Sequence, residues 1–372
     1  MTVLQESDTL KKTPLYDRHQ ALQGKIVNFS GWALPVYYTG ILAEHQWTRQ
    51  SCGFFDVSHL GEVRVHGPGA SAFIQKRFTN DLKKCQNGRM LYTLLCNEEG
   101  RTLDDILIYK ESDGDFYLIV NATNIERDVT EMKKYAPSDV SIDNHSDEMA
   151  CIAVQGPKSS AVLEKLFGFK LGDMPYYSFK AEKFSGQDVW ISRSGYTGED
   201  GFEIFSPNAL APAVWDVLAD RGKKEGALPA GLGARNTLRL EAGNPLYGHE
   251  MDETTTPLEA GLGFAVSFEK GDFVGRQAIL KQKENGISRR LTGFKMQDKQ
   301  VARDGYPVVK DGKKIGHVTS GSFAPTVGGN IGMAYVPAGM EKPGNLLEIE
   351  IHGRAARAET VKRPFVELKH RK

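Results

Sequence analysis

The chain has 372 residues, too many for one ordinary hydrophobic core, so two or three domains are expected. Its 47 Lys and Arg balance 47 Asp and Glu, so no whole-molecule field favours nucleic acid or an anionic membrane, and any basic patch is local. Cys52, Cys85, Cys96 and Cys151 form no Cys-x-x-Cys pair and lack nearby histidines, which argues against a zinc site or a disulfide framework and fits a reducing compartment.

Taken in order, Met1 to Lys12 is short and polar, neither a signal peptide nor an arginine-rich transit peptide. No stretch approaches the roughly 20 apolar residues of a membrane span, so a cytoplasmic location is expected. Pro14 to His19 reads as a short helix. The aromatics of Val27 to Tyr38, beside Gly31 and Pro35, suggest an irregular packed segment. Ile41 to Ser51 has helical spacing, and Gly53 to Gly61 reads as a loop entering a strand at Glu62 to Val65. A unit of strand, Gly-Pro turn and helix then occurs twice, at Val63 to Lys76 and Ile152 to Lys165. Looser versions run from Phe116 through Asn121 into Ile125 to Tyr135, and from Phe202 through Pro207 into Ala209 to Gly222. Helices mixed with hairpin-joined strands favour α+β layers with antiparallel sheets. From Arg289 the texture changes to short strands separated by turns such as Asp304-Gly305 and Pro343-Gly344, as in a small β-barrel or sandwich. Residues 250–288, with a helix at Gly275 to Lys283, form the junction.

Four constellations are candidates for chemistry. Leu91 to Cys96 and Thr102 to Tyr109 read as a β-hairpin whose second strand carries Asp104 and Asp105 in apolar rows. Alternation points them to opposite faces, so they are not a shared-proton pair; each needs its own partners or a wet cleft, and a frayed strand end with solvated acids is the competing reading. The loop Ser192 to Glu203 is either a long hairpin loop or a place where backbone approaches a planar ligand, with Tyr196 stacking and Glu203 accepting paired N–H donors. The glycines of Pro229 to Glu241 precede a helix with Arg235 in its first turn, an anion site or an ordinary helix entry with a surface ion pair. His45, His59, His249 and His317 are scattered, so no metal is expected.

Together these segments, with Thr13-Pro14-Leu15, Gly31-Trp32, Gly53 to His59, Leu246 to Glu253 and Thr319-Ser320-Gly321, resemble the T-protein (aminomethyltransferase) family of the glycine cleavage system over nearly the whole chain. The resemblance implies a three-domain cloverleaf around a central folate site: residues 1–60 with 140–250 as a first α+β domain, 61–139 as a second, and 251–372 as junction helix and C-terminal β-barrel. It also implies transfer of the one-carbon unit of an S-aminomethyl-dihydrolipoyl arm to tetrahydrofolate, with release of ammonia. A lipoylated carrier, the H-protein, would deliver the arm, and no pyridoxal phosphate, flavin or metal is required. Asp105 is then the catalytic acid, although alternation alone cannot choose between it and Asp104. Glu203 would hold the pterin edge, Tyr196, Tyr92 and Asn121 would wall the ring, and Arg235 would meet polar or anionic groups of the folate. A folate-dependent demethylase on the same fold and a non-catalytic folate-binding module are the alternatives. Iron–sulfur maintenance relatives are disfavoured, since Asp272 to Gln277 has no cysteine. Two departures are noted: Leu60 stands where the family expectation is methionine, and Val366 to Lys372 is divergent. The basic runs Lys223-Lys224, Arg289-Arg290, Lys313-Lys314 and Lys369 to Lys372 are candidate docking charges for the carrier, the barrel-domain runs first, or simply solvated faces.

Overall fold

The structure is a computed structural model and is described for residues 10–369. The expectations for Met1 to Thr9 and for His370 to Lys372 lie outside the described residues. Two bodies of secondary structure follow one another along the chain. The first is an 11-stranded sheet with the order Ala227–Pro229, Cys52–Asp56, Met149–Gln155, Gly201–Pro207, Gln187–Arg193, Ser178–Phe184, Arg89–Cys96, Thr102–Ser112, Asp115–Val120, Gly61–His66 and Ser141–Asn144. Apart from the parallel edge pair of Ala227–Pro229 with Cys52–Asp56, its strands are antiparallel. The sheet is two sheets joined at a narrow seam, where Ser178 pairs with Arg89.

Each half buries one face under helices, as amphipathic layers require. Ser159–Phe167 and Ala211–Glu225 cover one half through Leu163, Val214, Trp215 and Leu218. Ala70–Arg77 and Ile125–Tyr135 cover the other through Phe73, Ile74, Val129 and Met132. The faces without these helices turn towards each other at the seam. Met90 and Tyr109 of one half share a core with Phe55, Cys151 and Phe205 of the other, and with Ala234 and Leu238 of the helix Leu232–Glu241. Tyr109 lies 5.1 Å from Phe179 between ring centroids, and Tyr117 meets Trp190 edge-on at 4.4 Å.

The second body is a closed antiparallel barrel with the order Arg289–Met296, Gly329–Pro337, Lys313–Ala324, Pro307–Lys310, Leu346–Ile351 and Arg354–Val361. The turn-separated strands expected after Arg289 thus close into a barrel. The strand, Gly-Pro, helix units also form, with Gly67 and Gly156 at φ 122° and 131°. Two expectations are corrected. Val27 to Tyr38 is a regular hairpin, Lys25–Phe29 with Trp32–Tyr37, because Ser30 and Gly31 both take positive φ and make a tight turn matched to strand twist; Pro35 is accommodated beside a register shift. Gly53 to Asp56 is buried strand rather than loop. Its glycine is required by packing, since a Cβ at Gly53 would sit 2.2 Å from Thr48 Oγ1.

Candidate functional site

The two halves of the sheet bring the sequence candidates to their meeting faces. Asp105 lies opposite Leu94, and Tyr92 lies opposite Leu107 in the same register, so Tyr92 and Asp105 are diagonal neighbours on one face. The Tyr92 hydroxyl donates to Asp105 Oδ2 at 3.0 Å. Asn121, where the chain leaves the strand Asp115–Val120, donates from Nδ2 to Asp105 Oδ1 at 2.9 Å. Asp105 is half-buried. Burial, and then the charge of Asp104, push its carboxyl up to about 7, so it exchanges a proton near neutral pH.

Asp104 projects from the other face, as alternation requires, and is fully buried. It accepts the Asn121 backbone N–H at 3.0 Å, Asn121 Nδ2 at 2.8 Å and Asn124 Nδ2 at 2.7 Å. The expectation that each acid finds separate partners is therefore corrected. One amide, Asn121 Nδ2, has two hydrogens and ties both carboxylates across the strand.

The second cluster comes from the loop after Gln187–Arg193 and from the helix Leu232–Glu241. Tyr196 is anchored by its hydroxyl to the Pro245 carbonyl, and its own carbonyl accepts from Asn244 Nδ2 at 2.9 Å. The Arg235 guanidinium lies over the Tyr196 ring, 4.7 Å from its centroid. Burial lowers the proton affinity of Arg235, while Tyr196 and Glu203 counter it. Among the described residues no hydrogen bond or ion pair engages the Arg235 side chain. Glu203 accepts from Ser194 Oγ at 2.5 Å and from the Tyr109 hydroxyl at 3.5 Å, both on Oε2, which leaves Oε1 without a donor among the described residues. The clusters are one site electrostatically: Tyr196 feels the charges of Asp105 and Arg235, and Arg235 feels Glu203.

All six sequence candidates thus converge. Tyr109, Ser194, Asn124 and Phe264, which contact these side chains or Asp104, were not legible in the sequence. Phe264 is 73% exposed and stacks on Tyr92 at 5.9 Å. The histidines do not gather. His45 bonds Thr237 and pairs with Glu241, His249 approaches Asp304, and His59 is buried, which pushes it down to about 4. Among the described residues no group of three or more His, Cys, Asp or Glu is arranged to hold a metal ion, and no helix is long and apolar enough to cross a membrane.

An α+β body followed by a closed barrel, with carboxylates and aromatics converging where two half-sheets meet, matches a defined class of transferase. Residues 15–270 match the GCVT N-terminal domain, and residues 289–367 match the glycine cleavage T-protein C-terminal barrel domain. The aminomethyltransferase of Thermoanaerobacter sp. (strain X514) is 47% identical over 367 residues, 98% of this chain and all of that protein. That of Bacillus subtilis (strain 168) is 44% identical over 358 residues, 96% of this chain and 99% of that protein. The crystal structure of glycine cleavage system aminomethyltransferase T from Bartonella henselae superposes with a TM-score of 0.91 at 35% identity, covering 97% of this chain and 99% of that one. The chain belongs to the glycine cleavage T-protein family of aminomethyltransferases.

Proposed function

We propose that the site accepts tetrahydrofolate and the aminomethyl group of an S-aminomethyl-dihydrolipoyl arm, giving 5,10-methylenetetrahydrofolate, ammonia and the dihydrolipoyl arm. The observation that carries this reading is Asp105: a half-buried carboxyl, held by Tyr92 and Asn121, whose proton affinity lies near neutrality. The reaction breaks the carbon's bonds to sulfur and to the amino nitrogen and forms bonds to two folate nitrogens. The two N–H protons that leave end on ammonia and on the thiol. A group that holds and returns a proton near pH 7, and whose charge stabilises a developing iminium-like centre, suits that balance.

The remaining residues take binding roles. Glu203 offers Oε1 to the N–H edge of the pterin while Ser194 and Tyr109 fix Oε2. Tyr196, Tyr92 and Asn121 wall the ring. Arg235, whose guanidinium N–H groups make no hydrogen bond among the described residues, meets polar or anionic groups of the folate. Residues 1–60 with 140–250, 61–139, and 251–372 are taken as the three domains. The two sheet halves with separate helix-covered cores and the closed barrel support three units, but the boundary at 140 is corrected: Ser141–Asn144 pairs with Gly61–His66 and Ile142 lies in the core of the second unit, which therefore extends past that strand. The donor arm arrives on a lipoylated carrier, the H-protein, in the cytoplasm. No metal, flavin or pyridoxal phosphate takes part in the scheme.

Incubation with aminomethylated lipoyl carrier and tetrahydrofolate should release ammonia in step with the appearance of free lipoyl thiol. Folate binding without ammonia release would point to a non-catalytic folate module. Activity on sulfonium methyl donors instead would point to a demethylase on the same fold.

A further inference from the structure

Two segments have no part in the transfer scheme, yet both bury polar side chains: Leu246 to Glu253 contributes Glu250, and the barrel strand Lys313–Ala324 contributes Thr319 and Ser320. They meet at Arg239, which is buried on the helix Leu232–Glu241. Arg239 Nη1 donates to Glu250 Oε2 at 2.8 Å, Nη2 to Ser320 Oγ at 2.8 Å and Nε to Asn236 Oδ1 at 2.8 Å. Glu250 also accepts from Thr319 Oγ1 at 2.6 Å on Oε1, and from the Leu246 N–H at 3.0 Å on Oε2. A buried ion pair offsets its desolvation only when such further hydrogen bonds replace water, and losing a partner strands a charge. The geometry of this pair is therefore narrowly defined. It joins the barrel to the helix that carries Arg235 one turn earlier.

The pair in turn holds the short segment that leaves the helix. The Asn244 N–H donates to the Arg239 carbonyl at 3.0 Å, and the Asn244 carbonyl accepts from Arg239 Nη1 at 3.3 Å. Gly243, at φ 71°, turns the chain into this segment, and the ring of Pro245 fixes the φ that follows. Asn244 and Pro245 then grip one residue at both ends. Asn244 Nδ2 donates to the Tyr196 carbonyl at 2.9 Å, and the Pro245 carbonyl accepts from the Tyr196 hydroxyl. Tyr196 lies in the loop between the strands Gln187–Arg193 and Gly201–Pro207, so its direction is set by such contacts rather than by a sheet ladder.

We infer that Asn244 is a positioning residue for the ring wall of the site: with Pro245 it fixes where Tyr196 stands, and the Arg239–Glu250 pair, buttressed by Thr319 and Ser320, fixes Asn244. The barrel thereby sets, through its hydroxyls, a wall that belongs to the other body. Asn244 needs an amide for this role. Alanine leaves the Tyr196 carbonyl without its donor, and aspartate, of the same shape, turns an acceptor towards a carbonyl oxygen. Thr319 needs its hydroxyl, because without it Glu250 keeps Arg239 but loses the donor on Oε1.

The inference rests on Tyr196 walling the bound folate, and the test separates the two claims. In the full-length protein isotopically labelled at tyrosine Cζ, the magnetic-resonance signal of Tyr196 is identified by its loss in Tyr196→Phe. Without ligand, that signal should shift or broaden in Asn244→Ala and in Thr319→Val, and should keep its parent position in Thr319→Ser. The dissociation constant and the KM for tetrahydrofolate should rise about 5-fold or more for Asn244→Ala and about 3-fold for Thr319→Val, with kcat within about 2-fold in both. Thr319→Ser, which keeps the hydroxyl, should return both constants to the parent values. A Tyr196 signal unchanged in Asn244→Ala and Thr319→Val would overturn the positioning role. So would parent-like folate affinity in those variants when Tyr196→Ala binds folate more weakly, or a Thr319→Ser protein as impaired as Thr319→Val. The Thr319 pair decides even if Asn244→Ala does not fold. If Tyr196→Ala itself binds folate normally, the wall reading fails, while the Tyr196 signal still decides whether Asn244 sets that residue.

Discussion

Asp104 and Asp105 show how far one residue's position can change the meaning of its chemistry. Both are strand aspartates in apolar rows, yet Asp104 is saturated with donors while Asp105 keeps capacity to face a ligand. Burial raises the proton affinity of both, so they differ in what a substitution removes rather than in the sign of that shift. The unfolded value for an aspartate is roughly 3.9, and the folded value for Asp105 is about 7, so between them the folded state binds the extra proton. The contribution of Asp105 to stability therefore declines as pH rises from about 4 to about 7 and stays lost above that. Asp105→Asn should leave the ligand-free protein more stable than the parent by on the order of 1–2 kcal/mol at pH 8, with no gain at pH 4. Asp104→Asn should instead lose about 1–3 kcal/mol, because an amide cannot accept from all three N–H groups. Urea unfolding of both variants at the two pH values checks the signs. The adjacent acids were legible in the sequence as a conflict between charge and burial, but their inequality was not. It depends on Asn121 and Asn124, which lie just before the helix Ile125–Tyr135 and reach the strand only when that helix packs.

At the scale of elements, local patterns were read well where chemistry forces conformation. The Gly-Pro turns and the barrel strands lie where the sequence places them, because positive φ at glycine and period-two alternation are local properties. The errors fell where tertiary context decides. Gly53 to Asp56 looks like a loop, yet it is a buried strand between two others. Ser30-Gly31 was hidden by the aromatics around it. The repeated turn also carries a prediction. A Cβ at Gly156 would lie 2.4 Å from the Ser51 carbonyl oxygen and 2.6 Å from that of Thr48, at φ 131°. Gly168, at the end of the helix Ser159–Phe167, has φ 75° and open space around it. Gly156→Ala should cost about 3 kcal/mol or more, since backbone must move, whereas Gly168→Ala should cost only about 1 kcal/mol. Denaturant midpoints for the two variants at unchanged m-value would establish the difference.

For the whole molecule, the balanced charge leaves partner recognition to local patches. Arg289 is engaged by Glu259 and the Thr254 carbonyl, Arg290 lies 3.8 Å from Glu341, and Lys369 pairs with Glu199. Lys314, with Arg289 and His317, borders an open cleft of about 320 Å³ on the barrel. If an acidic carrier docks through such charges, turnover with the intact carrier should fall as ionic strength rises from about 0.05 to 0.5 M, over which the Debye length shrinks severalfold, while turnover with free aminomethyl-lipoamide changes little. Equal responses of the two donors would exclude charge-guided docking. The bodies themselves were legible from sequence texture, but the convergence of their site was not, because the seam forms between Ser178 and Arg89, far apart in the chain and unremarkable in composition.

The claim on which the account depends is that the one-carbon unit is transferred at Asp105. Single-turnover transfer from aminomethylated carrier to tetrahydrofolate, measured for the parent and Asp105→Asn with the folate dissociation constant determined in parallel, tests it most directly. The account predicts a rate lower by about 10²-fold or more with folate affinity changed by less than about 5-fold, the pattern of a group that acts in the transition state. A folded Asp105→Asn protein that transfers at the parent rate would contradict it.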